Sequence, residues 1–288
     1  MNPELLGKIT ELFRSKAWPM TSDWDGEDAI LFDNFCRLLD ELSAEEQQLV
    51  MTITEDFVRY TSGDYPHLMS IALRQIDDAR IAVADQVIFV PLITSEDVAR
   101  YVKSGPATLY LVFDSVVKRN PKTRPKFLER RLHQFASLEA LAASKAEQTH
   151  SLIIFVDDFV GTGEYATAVL AEFEGRYRKA DEDVAVLSLV ALRRGVDAIA
   201  DLGYDCFVSL LLDRGISDST RIQDFSRALA VVDGIENRLS ITASHVHGYL
   251  KSEALVKMIR TPDNTFPLYW CPTMMSGNDW PAPFPRER

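Results

Sequence analysis

Ser151 to Leu170 runs SLIIFVDDFVGTGEYATAVL: apolar residues, two adjacent aspartates, two more apolar residues, a Gly-Thr-Gly turn and a small-residue helical start. Leu152 to Val156 suits a strand buried on both faces, as in a parallel sheet. Gly161 and Gly163 let backbone amides approach a ligand closely, and the helix begun by Ala166 to Leu170 turns free N–H groups toward an anion. A helix N-terminus contributes only ~0.3–2 kcal/mol toward an anion, so tight binding also needs a metal or basic side chains. Adjacent aspartates on a regular strand point to opposite faces, which places Asp157 and Asp158 where the chain leaves the strand. There, two acceptor-only carboxylates suit neighbouring hydroxyls of a sugar while the following loop holds its phosphate, as in a ribose 5-phosphate. The plain structural alternative, a strand ending in a capping Asp and a turn, explains one aspartate and leaves the second unaccounted for.

Outward from this stretch, residues 81–270 alternate apolar strands with helices. Strands are expected at Gln86–Ile93, Thr108–Phe113, Leu152–Val156, Val184–Leu189 and Cys206–Leu211, with helices at Phe127–Gln148, Tyr165–Arg178, Gly195–Leu202 and Asp218–Gly234. Such alternation implies an α/β fold, a mainly parallel sheet flanked by helices, and ligands sit beyond the carboxyl ends of its strands. Residues 1–80 read as an N-terminal helical subdomain. Ser43 with Glu46 makes a capping box, and Ile30, Leu31, Phe35, Leu38 and Leu39 follow a 3.6-residue period. Trp18 and Trp24 read as packing anchors, and residues 271–288, ending WPAPFPRER, as a Pro-rich extended arm.

The chain has 288 residues, 47% of them hydrophobic, and a net charge of -12. That charge argues against sequence-independent nucleic-acid binding by the whole surface. One basic stretch stands out, Lys118, Arg119, Lys122, Arg124, Lys126, Arg130 and Arg131; it reads as a solvated face or as a polyanion contact. No segment reaches the ~20 apolar residues of a membrane span, and the N-terminus lacks a signal-peptide pattern. Cys36, Cys206 and Cys271 are widely spaced, which fits a reduced, cytoplasmic setting better than a disulfide framework or a zinc site. HExxH, CxxC, GxSxG and Walker motifs are absent, and His245 with His247 do not make a metal site by themselves.

Strand, Asp-Asp pair and Gly/Thr loop together resemble the phosphoribosyl pyrophosphate (PRPP) motif of type I phosphoribosyltransferases. The resemblance implies that Asp157 and Asp158 hold ribose hydroxyls and that Gly161, Thr162, Gly163, Glu164 and Tyr165 form the 5-phosphate loop. Gly161 and Tyr165 stand where small hydroxyl residues are common, so backbone amides would replace those donors. A diphosphate loop is implied after an earlier strand, either at Thr94-Ser95 or, preferred here, at Lys103-Ser104-Gly105, where charge, hydroxyl and exposed amides coincide. Arg193 and Arg194, after the Val184–Leu189 strand, suit a phosphate or a base, or a helix cap. Magnesium is expected through the substrate diphosphate rather than a protein cage.

Three further segments narrow the resemblance: Arg214–Asp218 (RGISD), Thr261–Trp270 (TPDNTFPLYW) and Asn278–Arg286 (NDWPAPFPR). With VDDFVGTG they resemble the PRTase-CE family, phosphoribosyltransferase-like proteins of bacterial conflict systems, some encoded beside retron reverse transcriptases. The resemblance implies an antiphage effector that binds PRPP or a related nucleotide with Mg2+, partnered by a reverse transcriptase and its RNA or DNA product, and it places Asn264, Thr265 and Trp270 near the pocket. A catalytically inert nucleotide-binding subunit of a defence complex, and a nucleotide-salvage enzyme, are the alternatives.

Overall fold

The computed structural model describes residues 2–20, 27–98, 103–144 and 150–286. Along the chain come α1 (Pro3–Ser15), α2 (Leu31–Asp40), α3 (Ala44–Thr54) and β1 (Val58–Arg59), then α4 (Tyr65–Arg74), α5 (Asp78–Val83), β2 (Gln86–Pro91), α6 (Ser95–Val98) and α7 (Ser104–Val112). β3 (Arg131–Gln134), α8 (Leu138–Ala143), β4 (Ser151–Val160), α9 (Glu164–Arg176), β5 (Glu182–Leu192), α10 (Arg193–Ala200) and β6 (Asp205–Leu212) follow. The last elements are α11 (Phe225–Glu236) and β7 (Val256–Lys257).

These elements form two compact units, residues 60–212 and residues 1–59 with 213–288. The division differs from one at residues 80 and 270. β1 pairs with β7, and Leu38, Leu39, Val50 and Phe57 share one core with Val232, Ile235, Tyr269 and Phe284. Chain continuity therefore misleads about packing. In the final segment Trp280, Ala282 and Phe284 are buried, and Phe284 stacks on Phe57 with centroids 4.9 Å apart. Trp18 packs edge-on against Phe13, Phe57 and Phe284, as an anchor should, and Trp24 lies outside the described residues. The Ser43–Glu46 capping box forms in both directions.

Residues 60–212 carry a five-stranded, fully parallel sheet of order β3-β2-β4-β5-β6. β2 and β4 are buried along almost their whole length, which accounts for their unbroken apolar sequence. β2 and β4 lie side by side, yet the chain proceeds from β2 outward to β3 and from β4 the other way to β5. The crevice between their carboxyl ends is thus the topological switch point, where ligands of open α/β sheets bind.

Two expected elements are corrected. Thr108–Phe113 is not a strand: it belongs to α7 and the π-helical turn at Phe113–Lys118. A short apolar run does not distinguish the two states, but Gly105, Thr108, Leu109 and Val112 recur at helical spacing on the buried side while Tyr110 is exposed. Phe127–Gln148 is not one helix. It includes β3, an edge strand paired in register with Gln86–Phe89, and the short α8; residues 145–149 lie outside the described residues. The basic stretch is partly structural, since Lys126 and Arg130 bond carbonyls of Ile76, Ile81 and Ala82 at both ends of α5, and Lys118 and Arg119 pair with Asp114. No helix among the described residues is long and apolar enough to cross a membrane.

Candidate functional site

β2 ends at Pro91, opposite Val156, while β4 continues to Val160. Asp157 and Asp158 therefore lie inside the strand rather than beyond its end. They occupy the stretch where β4 has lost β2 as a neighbour and keeps β5, with Asp157 opposite Ser188 and Phe159 opposite Val190. The N-terminus of α7 fills the vacated flank. Gly105 makes this close approach possible: a Cβ there would lie 3.0 Å from the Val156 carbonyl oxygen and 3.3 Å from the Leu92 nitrogen.

The two aspartates share a centre despite being adjacent. Ser104 Oγ donates to Asp157 Oδ1 at 2.6 Å, and the Asp158 amide donates to the same oxygen at 2.8 Å. Ser104 also reaches Asp158, whose Oδ2 accepts the Tyr65 hydroxyl at 2.6 Å. Asp157 is 8% exposed and Asp158 5%. Burial, then the neighbouring Asp158 charge, pushes Asp157 well above the usual carboxylate range. Burial raises Asp158 too, with the Tyr65 hydroxyl opposing it.

After Val160 the loop Gly161-Thr162-Gly163 leads into α9. Gly163 caps the helix with φ of 84°, a left-handed conformation in which a side chain is strained, and a Cβ there would also meet Ala198 at 2.7 Å. Gly195 of α10, the helix that also carries Ala198, presses on the same loop; its Cβ would fall 2.3 Å from the Gly161 oxygen. The loop is thus fixed by two glycine contacts, and the first-turn amides of α9, which have no intrahelical acceptor, open where it ends. Thr162 is half-buried and Glu164 exposed. Arg193 is an exposed first residue of α10, two positions from Gly195.

Tyr165 joins this loop to the segment after β2. Its hydroxyl donates to Asp97 at 2.6 Å and accepts from the Thr94 amide at 3.2 Å. Lys103 caps α7, lies 3.3 Å from Asp97 and stands over the Tyr165 ring at 4.4 Å. Burial acts to raise Asp97, but the Tyr165 hydroxyl and Lys103 outweigh it and hold the carboxyl below its ordinary value. Both candidate diphosphate segments therefore meet at Tyr165, and Lys103-Ser104-Gly105 is the one that touches the aspartates. Among the described residues no three His, Cys, Asp or Glu side chains are placed to hold a metal ion.

A cavity of about 1120 Å³ lies at the opposite end of the sheet, lined by Arg80, Glu174, Arg178, Asp183, Tyr204 and Asp205. Its size does not make it the better candidate. Both arginines are already paired, Arg80 with Asp183 and Asp205, and Arg178 with Glu174, and it faces the amino ends of β5 and β6. Asn264, Thr265 and Trp270 fall in the other compact unit from the aspartates. There the Trp270 indole donates to the Thr265 carbonyl at 2.6 Å, and the Asn264 carbonyl accepts from Ser252 and Ala254. In the same unit Glu253 accepts from the Ile216 and Ser217 amides and the Ser217 hydroxyl. Tyr65 gave no signal in the sequence, because one tyrosine before a proline at a helix start is ordinary.

Solved structures match the chain at low identity. An orotate phosphoribosyltransferase from Aeropyrum pernix is 15% identical, with 52% of this chain and 71% of that one covered and a TM-score of 0.30. A hypothetical protein from Neisseria gonorrhoeae with bound ppGpp is 13% identical (60% and 96% covered, TM-score 0.33), and the AQ2163 protein from Aquifex aeolicus is 12% identical (66% and 86% covered, TM-score 0.30). No curated protein matches the chain. The PRTase-CE family model matches residues 32–286, which take in the aspartate pair, the glycine loop and all three further segments, and the chain belongs to that family.

Proposed function

We propose that the chain binds PRPP or a related nucleotide at the switch point and transfers or releases its phosphoribosyl group, as the effector of an antiphage defence system. The observation that carries this reading is the bonding of Ser104 to the aspartate pair near the carboxyl end of β4, with the loop Gly161–Gly163 following directly after the strand. Asp157 and Asp158 are assigned to the ribose hydroxyls, the bond to whichever of the two is ionised being charge-assisted and contributing ~1.5–3 kcal/mol. Gly161, Thr162, Gly163, Glu164 and Tyr165 surround the 5-phosphate; Lys103, Ser104 and Gly105, with Arg193, serve the diphosphate. Lys103, Ser104 and Gly105 would hold the diphosphate together with any Mg2+ it carries, and the cation would supply charge neutralisation there. As pyrophosphate departs, positive charge grows on the ribose ring, and carboxylates already fixed by Ser104 and Tyr65 need no reorganisation to stabilise it. A reverse transcriptase with its RNA or DNA product is the partner this role calls for, in the cytoplasm.

A second reading, an inert nucleotide-binding subunit, is favoured by one observation: both carboxylates are less than a tenth exposed. One experiment separates the two. The purified chain, alone and with its genomic neighbours, is incubated with PRPP, Mg2+ and a panel of nucleobases, beside Asp157→Asn and Asp158→Asn. Loss of PRPP or of a nucleotide that both variants abolish establishes the enzyme. Binding without turnover in every mixture establishes the inert subunit, and absence of binding removes the phosphoribosyl reading.

A further inference from the structure

We infer that Tyr65 is the positioning residue of the aspartate pair: its hydroxyl fixes the Asp158 carboxylate and keeps that carboxylate charged for the incoming ligand. This deepens the phosphoribosyl reading and rests on it. Tyr65 opens α4, and its place is set locally. The Thr61 amide and hydroxyl both donate to Asp64 Oδ2, at 2.7 and 2.8 Å, which closes the turn before the helix. Pro66 then occupies the first turn, where no N–H is needed. Leu68, Met69, Ala72 and Leu73 are buried, and α4 packs against β5 and β6. Tyr65 itself is 0% exposed, with its hydroxyl 2.6 Å from Asp158 Oδ2.

That burial makes the hydroxyl consequential. A buried phenol needs a partner, and donating to an ionised oxygen favours the charged form. Two carboxylates side by side in a low-dielectric setting do not both ionise easily, so the neighbouring donors decide which one carries the charge. The titratable groups facing Asp158 are Asp157 on its own strand and Tyr65 on α4. α7 contributes the uncharged Ser104, and β5 places Ser188 opposite Asp157. Asp157 accepts from Ser104 and the Asp158 amide. Tyr65 is thus the donor specific to Asp158, supplied by a helix outside the strand–loop–helix motif.

Tyr65→Phe removes only the hydroxyl. In the full chain labelled with carbon-13 at the aspartate carboxyls, and with Asp158→Asn to assign the signal, the Asp158 proton affinity should rise roughly tenfold in Tyr65→Phe. 3-Fluorotyrosine placed at position 65, a more acidic phenol, should lower it. PRPP binding with Mg2+ should weaken roughly tenfold near neutral pH in Tyr65→Phe, and the deficit should shrink as pH rises. An unchanged Asp158 titration in both substituted chains, with only a lower Tm, reduces Tyr65 to packing and overturns the inference. If wild-type protein binds no PRPP, the functional reading fails, while the carboxyl titration still decides the role of Tyr65.

Discussion

Lys103 and Tyr165 are held together through a third residue: the ammonium stands 4.4 Å from the centre of the phenol ring, and Asp97 takes both the ammonium, at 3.3 Å, and the phenol hydroxyl, at 2.6 Å. The candidate diphosphate cation is therefore stored in an ion pair, and the helix after the glycine loop is tied to the segment after β2 by the same carboxylate. A ligand phosphate has to compete with Asp97 for Lys103.

Asp97→Asn should accordingly release Lys103 and tighten binding of pyrophosphate. The pair is partly solvated, with Lys103 37% exposed, so a gain of about 0.5–1 kcal/mol is expected, a two- to fivefold lower Kd. Titration calorimetry with pyrophosphate at low and high salt checks it. Unchanged affinity at both salt concentrations would detach Lys103 from the anion site.

Gly195 and Gly175 should respond oppositely to alanine. A Cβ at Gly195 would sit 2.3 Å from the Gly161 oxygen and 2.8 Å from Val160 Cγ1, so the loop must shift; Gly175, near the end of α9, has nothing within 4 Å of the added atom. Gly195→Ala should cost ~1–3 kcal/mol by overpacking and weaken phosphate binding with it. Gly175→Ala should stabilise by ~0.5–1 kcal/mol through helix propensity. Urea unfolding of both variants supplies the comparison.

Arg80 closes the amino end of the sheet. Its guanidinium grips both oxygens of Asp183 at 2.6 and 2.7 Å, Asp205 at 2.8 Å and the Val184 carbonyl at 2.9 Å. Burial alone would raise Asp183, but Arg80 holds it below its ordinary value. The stabilisation is therefore present above the ordinary carboxylate range and is lost as pH falls through the lowered pKa. Arg80→Lys, which cannot form the fork, should reduce stability by ~1–2 kcal/mol at neutral pH, and the difference from wild type should narrow below about pH 4. Denaturation at several pH values tests both parts.

The strands at β2, β4 and β5 were legible because a sheet covered on both faces demands unbroken apolar runs, and the aspartates sit within one such run, with the glycines directly after it; β6, a half-buried edge strand, keeps an apolar run of its own. α7 was misread for the same reason: TLYLVF is as apolar as a strand, and its helical period shows only with Gly105 and the flanking residues included. β3 carries Arg131, His133 and Gln134, is only four residues long and has both its ends exposed, and so has no apolar signature. Tyr65 lies 93 residues from Asp158 in sequence, and the core joining Phe57 to Phe284 spans nearly the whole chain. Pairings that long leave no trace in local pattern; only the aspartate–glycine motif, which is contiguous, announces its own chemistry.

Glu236 gives the unit formed by residues 1–59 and 213–288 its own pH dependence. It is 2% exposed; Oε2 accepts the His247 amide at 2.7 Å, and Oε1 has no partner among the described residues. Burial, with the Asp233 charge adding and the His247 amide opposing, pushes its pKa up to about 8 from an ordinary 4.5. Between those values the folded chain binds more protons than the unfolded one, so this group makes stability fall as pH rises from about 5 to 8. Glu236→Gln keeps an acceptor for the His247 amide and cannot ionise. The variant should therefore nearly match wild type at pH 5 and exceed it at pH 9, with most of the divergence developing before pH 8. Urea unfolding of the full chain at pH 5, 7 and 9 measures this, and wild-type and variant curves that stay parallel across the range would show that Glu236 remains charged in the fold.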